Sequence, residues 1–104
     1  MGKIAELKIA FASRDGQTIT DHFGFADEYV VNGEIREVIS PRRSENPHTA
    51  FAGIVDILAD CDAIVAVKFG EAAVKYLKSR GKRVFQATGT IDNAQKEIMR
   101  KWGI

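Results

Sequence analysis

The sequence predicts an α/β domain: one five-stranded mixed sheet and three helices in the order βββαβαβα. Three observations carry this. The first third of the chain alternates apolar and polar residues around Asn32-Gly33, the pattern of two strands joined by a tight turn. The remainder alternates short apolar runs with segments of helical periodicity, as parallel strands and crossover helices do. The chain has 104 residues, which corresponds to a single domain over 1–104.

Each element has its own signal. Leu7, Ile9 and Phe11 alternate with Lys8 and Ala10, giving a first strand over 6–12. Ser13 to Gln17 is a turn punctuated by Asp15-Gly16. A second strand covers 28–31, Asn32-Gly33 turns the chain, and a third strand returns over 34–40. Residues 40–46 form a polar loop. Asn46-Pro47 starts a helix, because Asn accepts from free N–H groups and Pro fits the first turn. Phe51, Ile54, Val55 and Leu58 then share one helical face, so the helix runs over 47–59. Residues 63–67 are apolar without alternation, a strand buried on both faces. A second helix, 71–80, is closed by Gly81. A fifth strand spans 83–87, and Thr90 caps a third helix marked by Ile91, Ala94, Ile98 and Trp102. Right-handed crossovers favour the strand order 3-2-1-4-5 with strand 2 antiparallel, the ribonuclease H-like arrangement.

Composition excludes several functions. The chain is 45 % hydrophobic and 28 % charged, which suits a folded domain rather than a disordered one. Fifteen Lys and Arg against 14 Asp and Glu leave a net charge of +1, so no nucleic-acid partner is expected. One cysteine, Cys61, cannot make an internal disulfide, and a cytoplasmic setting is expected. No apolar run approaches the ~20 residues of a membrane span, so no membrane partner is expected.

The predicted topology gathers polar residues at one place. Strands 1, 3, 4 and 5 run parallel, and ligands of open α/β sheets bind outside the carboxyl ends of such strands. Helix N-termini point the same way and bring free N–H groups. That edge collects Arg14, His22, Arg42, Arg43, His48 and Lys68, a set suited to an anion, with Asp15, Asp21 and Glu45 opposing it. His22, in His22-Phe23-Gly24, reads either as a ligand or as a residue holding a turn. Gly70 and Gly89 lie in the loops after strands 4 and 5, where backbone N–H groups can face an anion. Cys61 lies at the far end, beyond a helix of roughly 18 Å at ~1.5 Å per residue. It reads as a small buried residue before strand 4. Nucleotide-binding glycine loops are absent. The first strand carries no central Asp, so the carboxylates of a two-metal nuclease are missing.

Ile9 to Ser13, Asp15-Gly16 and Asp21-His22-Phe23-Gly24 with Ala26 resemble the opening of the dinitrogenase iron–molybdenum cofactor biosynthesis family. Asp60-Cys61-Asp62 followed by 63–66, Gly70, Ala73, Tyr76-Leu77-Lys78, Gly81 and Thr88-Gly89-Thr90 extend the resemblance over nearly the whole chain. It implies a ribonuclease H-like fold and a non-enzymatic role, binding or carrying iron–sulfur or iron–molybdenum cofactor precursors. It also makes His22, in His22-Phe23-Gly24, the candidate metal ligand; joined to the edge residues above, the expected cofactor site centres on His22 with Phe23, Gly24, Arg14, Lys68, Gly70 and Gly89 around it. Metallocluster donor and acceptor proteins are the implied partners, with the chain a monomer or weak homodimer. Two departures stand out. Phe25 replaces the Arg that often follows His-Phe-Gly, and Val67-Lys68-Phe69-Gly70 replaces a Gly-Gly-x-Gly loop. Iron–sulfur clusters usually take about four thiolates. One thiol and two histidines do not supply them, so a cluster must bring ligands or be shared between chains. The alternative is an interaction module of the same fold that has lost cluster binding, with Phe25 and Phe69 forming an apolar contact patch.

Overall fold

The computed structural model describes residues 7–102. The strands are β1 (Ile9–Ala12), β2 (Glu28–Val31), β3 (Glu34–Glu37), β4 (Ala63–Ala66) and β5 (Arg83–Gln86). The helices are α1 (Pro47–Ile57), α2 (Glu71–Ser79) and α3 (Ile91–Lys101), with a 3-10 turn at Pro41–Arg43. One sheet has the order β3-β2-β1-β4-β5. β2 is antiparallel to β1 and β3, and β4 is parallel to β1 and β5. This is the predicted ribonuclease H-like order.

The local signals work as their chemistry requires. Asn32 and Gly33 have φ of 51° and 81°, the positive values a type I′ hairpin needs, and Val31 pairs with Glu34 across the turn. The Asn46 side chain accepts from His48 N, and Thr90 Oγ1 accepts from Asn93 N at 3.2 Å. Gly81 (φ 79°) closes α2, with Gly81 N donating to Lys78 O and Lys82 N to Leu77 O.

Because side chains alternate across a strand, the sheet has two cores. Ala10, Ala12, Tyr29, Val31, Ile64 and Ala66 face Phe51 and Ile54 of α1 and Ala73 and Leu77 of α2. On the other face Ile9, Phe11, Ala63 and Val65 meet Ala94 and Ile98 of α3. Thus two helices cover one face and one covers the other.

Two strand ends differ from expectation. β1 starts at Ile9, not at residue 6, and Glu6 lies outside the described residues. Before it, the Lys8 backbone bonds the Asp62 side chain and backbone, at 3.0 and 2.7 Å, instead of a neighbouring strand. β3 stops at Glu37, not at Ser40: Glu37 pairs with Glu28, the first residue of β2, Val38 N makes one last bond to Asp27 O at 2.9 Å, and Pro41 then opens the 3-10 turn. The other predicted ends move by one or two residues, as frayed termini do.

Candidate functional site

The carboxyl edge of the sheet brings two loops together. Phe23 N donates to Lys68 O at 2.8 Å and Val67 N donates to Asp21 O at 3.0 Å, tying the loop after β1 to the β4–α2 loop. The Phe23 ring is buried and stacks on buried Phe69 with centroids 5.3 Å apart. That apolar anchor leaves its neighbours His22 and Gly24 at the surface. Together with Phe25, Lys68, Phe69 and Gly70 they line an open pocket of about 340 Å³.

The pocket suits negative charge. α2 begins at Gly70, and no side chain caps its first turn, so the free N–H groups there remain available. Exposed Lys68 makes no ion pair among the described residues. His22 stacks on Phe25 at 5.9 Å with 16° between planes. The Arg42 guanidinium lies 5.2 Å from the centroid of the same Phe25 ring, and Arg42 N donates to Gly24 O at 3.0 Å. Phe25 therefore gathers an imidazole and a guanidinium at the pocket rim, a role the sequence alone did not disclose. The only hint was the Pro41-Arg42 pair, whose 3-10 turn brings Arg42 across.

Other predicted site residues stand elsewhere. Arg14 pairs with Asp21 at 3.2 Å and does not line the pocket. Gly89 does not line it either: at φ 88° it serves the turn before α3, and its carbonyl accepts from Ile19 N. Phe23 contributes an anchor rather than a contact surface. Phe69 is only 7 % exposed, so the expected Phe25–Phe69 patch reduces to Phe25 alone, at 56 %. Arg43 is paired with Asp27 at 3.2 Å. His48 sits in the first turn of α1 with its ring edge-on to Phe51.

The donor set limits the chemistry. Among the described residues no three His, Cys, Asp or Glu side chains gather to hold a metal ion. Cys61 is buried at the opposite end, its Sγ 3.8 Å from Asp60 Oδ1. Burial, and then the Asp60 carboxylate, pushes its thiol up to about 11. The pocket offers one imidazole beside cationic groups and N–H donors. Such a set can hold an anion and offer it a single nitrogen ligand. No helix among the described residues is long and apolar enough to cross a membrane.

Known proteins share this fold. The protein PH0822 has a crystal structure that superposes with a TM-score of 0.69 at 20 % identity, covering 91 % of this chain and 90 % of that one. The protein mj0327 of Methanocaldococcus jannaschii, provisionally named a dinitrogenase, gives a TM-score of 0.59 at 15 % identity over 92 % and 90 %. The Thermotoga protein TM1290, provisionally named a NifB protein of the DUF35 family, gives 0.61 at 18 % over 90 % and 88 %. At these identities the likeness concerns the fold. A search of the curated proteins found no match. The model of the dinitrogenase iron–molybdenum cofactor family matches residues 5–101, nearly the whole chain, and the chain belongs to that family.

Proposed function

We propose that this chain binds and carries a preassembled iron–sulfur or iron–molybdenum cofactor precursor between donor and acceptor proteins, without catalysing a reaction. The observation that carries this reading is the pocket itself: His22, Lys68 and the uncapped start of α2 face one opening. His22 would ligate one metal of the cargo. Lys68, Arg42 and the first N–H groups of α2 would oppose its negative charge. An open pocket with a single protein ligand suits release as well as capture. Family membership supports the cofactor class, and the departure at Lys68 replaces backbone freedom with charge.

The test is anaerobic loading of the purified protein with an isolated cluster precursor, and separately with iron, sulfide and molybdate. Visible absorption and metal content are read after gel filtration. We expect stoichiometric retention of the precursor and none from free ions. His22→Ala abolishes retention while folding stability stays within about 0.5 kcal/mol, as for an exposed side chain. Retention unchanged in His22→Ala removes His22 from the account, and no retention by the wild type overturns carriage.

A further inference from the structure

We propose that Asn32 is a site of spontaneous covalent modification: Gly33 N attacks the Asn32 side-chain amide, and water then converts the residue to aspartate and isoaspartate. This inference does not rest on cluster carriage. Such a change needs a side-chain amide or carboxyl, a following backbone N–H that is unengaged and uncrowded, and access of water. Glycine is the least hindered follower because it has no Cβ. The sequence holds three asparagines, Asn32, Asn46 and Asn93, and a single Asp-Gly pair, Asp15-Gly16.

The fold separates Asn32 from the others. Pro47 follows Asn46 and has no N–H to attack with. Ala94 follows Asn93, and its N–H is held within α3 by Thr90 O at 3.0 Å. Gly16 N donates to Ser13 Oγ at 3.0 Å, and both oxygens of Asp15 accept, from Thr18 N at 2.8 Å and from the Thr18 hydroxyl at 2.6 Å. At the hairpin both groups are unengaged. Asn32 and Gly33 are exposed, and neither the Asn32 side chain nor Gly33 N is hydrogen-bonded to a described residue. Apart from its chain neighbours, no described residue comes within 4 Å of where a Gly33 Cβ would stand, so the approach is unobstructed. The turn holds Asn32 at φ 51° and Gly33 at φ 81°, and attack requires the peptide between them to rotate out of it. β3 has four residues and stands last in the sheet order, so this opening is a local event.

A bond forms between Gly33 N and Asn32 Cγ, the Cγ–Nδ2 bond breaks, and ammonia leaves with the proton that Gly33 N gives up. The product is a succinimide. Hydrolysis of its N–Cγ bond restores an ordinary backbone and gives aspartate. Hydrolysis of its bond to the main-chain carbonyl gives isoaspartate, whose backbone runs through Cβ and Cγ. Either product adds a carboxylate and cancels the formal net charge of +1. The isoaspartyl form also inserts a backbone carbon into the turn. A two-residue loop has no slack for it, so Val31 and Glu34 lose their pairing and β3 loosens from its start.

The folded protein is incubated near neutral pH and in mild alkali, then digested in acid, which halts the reaction. Peptide mass spectrometry reads the gain of about 1 Da at each asparagine. Carboxyl methylation by an isoaspartate-specific methyltransferase reads the isoaspartyl share. Asn32 is expected to convert at least about tenfold faster than Asn46 or Asn93, and faster in alkali, where the amide proton is more readily lost. Asn32→Gln should abolish the change, because the longer side chain closes the ring poorly. No conversion of Asn32 in the folded protein, or conversion of Asn46 or Asn93 at the same rate, overturns the proposal. Asn32→Asp carries the product's charge on an ordinary backbone. Hydrogen exchange at the Glu34 amide should be about tenfold or more faster in the isoaspartyl form than in Asn32→Asp. Equal exchange in the two overturns the loss of pairing.

Discussion

Single side chains set two measurable properties. Tyr29 is fully buried, and its hydroxyl has no hydrogen-bond partner among the described residues. Burial, and secondarily the Asp21 carboxylate, raises its phenol well above the ordinary value of 10.0. An unpartnered buried hydroxyl costs desolvation without return. Tyr29→Phe is therefore expected to stabilise the fold by about 1 kcal/mol, raising the urea midpoint with an unchanged slope. A lower midpoint would show that the hydroxyl is bonded. Cys61 is the second case. Its thiol, raised to about 11, is overwhelmingly protonated near pH 8. Iodoacetamide should label it more than about tenfold more slowly in the native protein than in denaturant, because only the thiolate reacts. Equal rates would mean that the end of the sheet opens freely. The burial of Cys61 was legible from its place before an apolar strand. The orphan state of Tyr29 was not, because it depends on what neighbours the folded chain supplies.

Elements show where reading the sequence succeeds. Asn32-Gly33, Asn46-Pro47 and Gly81 announce the hairpin, the start of α1 and the end of α2 through backbone chemistry contained in two or three residues. The end of α1 has no such local device. Lys82, far along the chain and only 9 % exposed, supplies it. Its ammonium donates to the carbonyls of Leu58 (3.2 Å), Ala59 (2.9 Å) and Cys61 (2.8 Å). Three donors meet three acceptors at the negative end of the helix, which compensates the burial of charge. Lys82→Met should cost about 2 kcal/mol, and Lys82→Arg should recover little because a planar fork does not match this cradle. Thermal or urea unfolding measures both. The candidate site follows the same division. Topology put His22, Lys68 and Gly70 at one edge, where they line one pocket, whereas Arg42 reaches Phe25 only through the tertiary position of the 3-10 turn. Arg14 and Gly89 were assigned to the correct edge, but an ion pair and a turn occupy them.

For the whole molecule, two carboxylates predict the acid limit. Asp15 accepts from the Thr18 hydroxyl at 2.6 Å and from Thr18 N and Gln17 N at 2.8 Å, which holds it below its ordinary 3.8. Asp60 is held low by the Arg36 guanidinium at 2.6 Å and by the Lys8 ammonium at 3.0 Å. Both are lowered on folding, so the unfolded chain binds more protons as acid is added. Their contribution is present in full above the ordinary carboxylate range and is lost as pH falls below about 4. Melting temperature should be nearly flat from about pH 5 to 8 and fall below about 4, with a shallower fall in Asp15→Asn. Both groups are exposed, so the slope is modest. An acid limb identical in the variant would exclude Asp15 from it.

The paired loops that make the pocket also place it late in the order of folding. The β2–β3 hairpin closes over two residues, a purely local contact. The bonds from Phe23 to Lys68 and from Val67 to Asp21 require β4 to have returned beside β1, across the long excursion through α1. Parallel pairings of such separation form slowly, after the loop entropy has been overcome. A partly made or partly folded chain thus presents His22 without Lys68 or the start of α2 beside it. The pocket at this edge is therefore complete only once the sheet is, so a ligand that needs all three elements would select the finished fold.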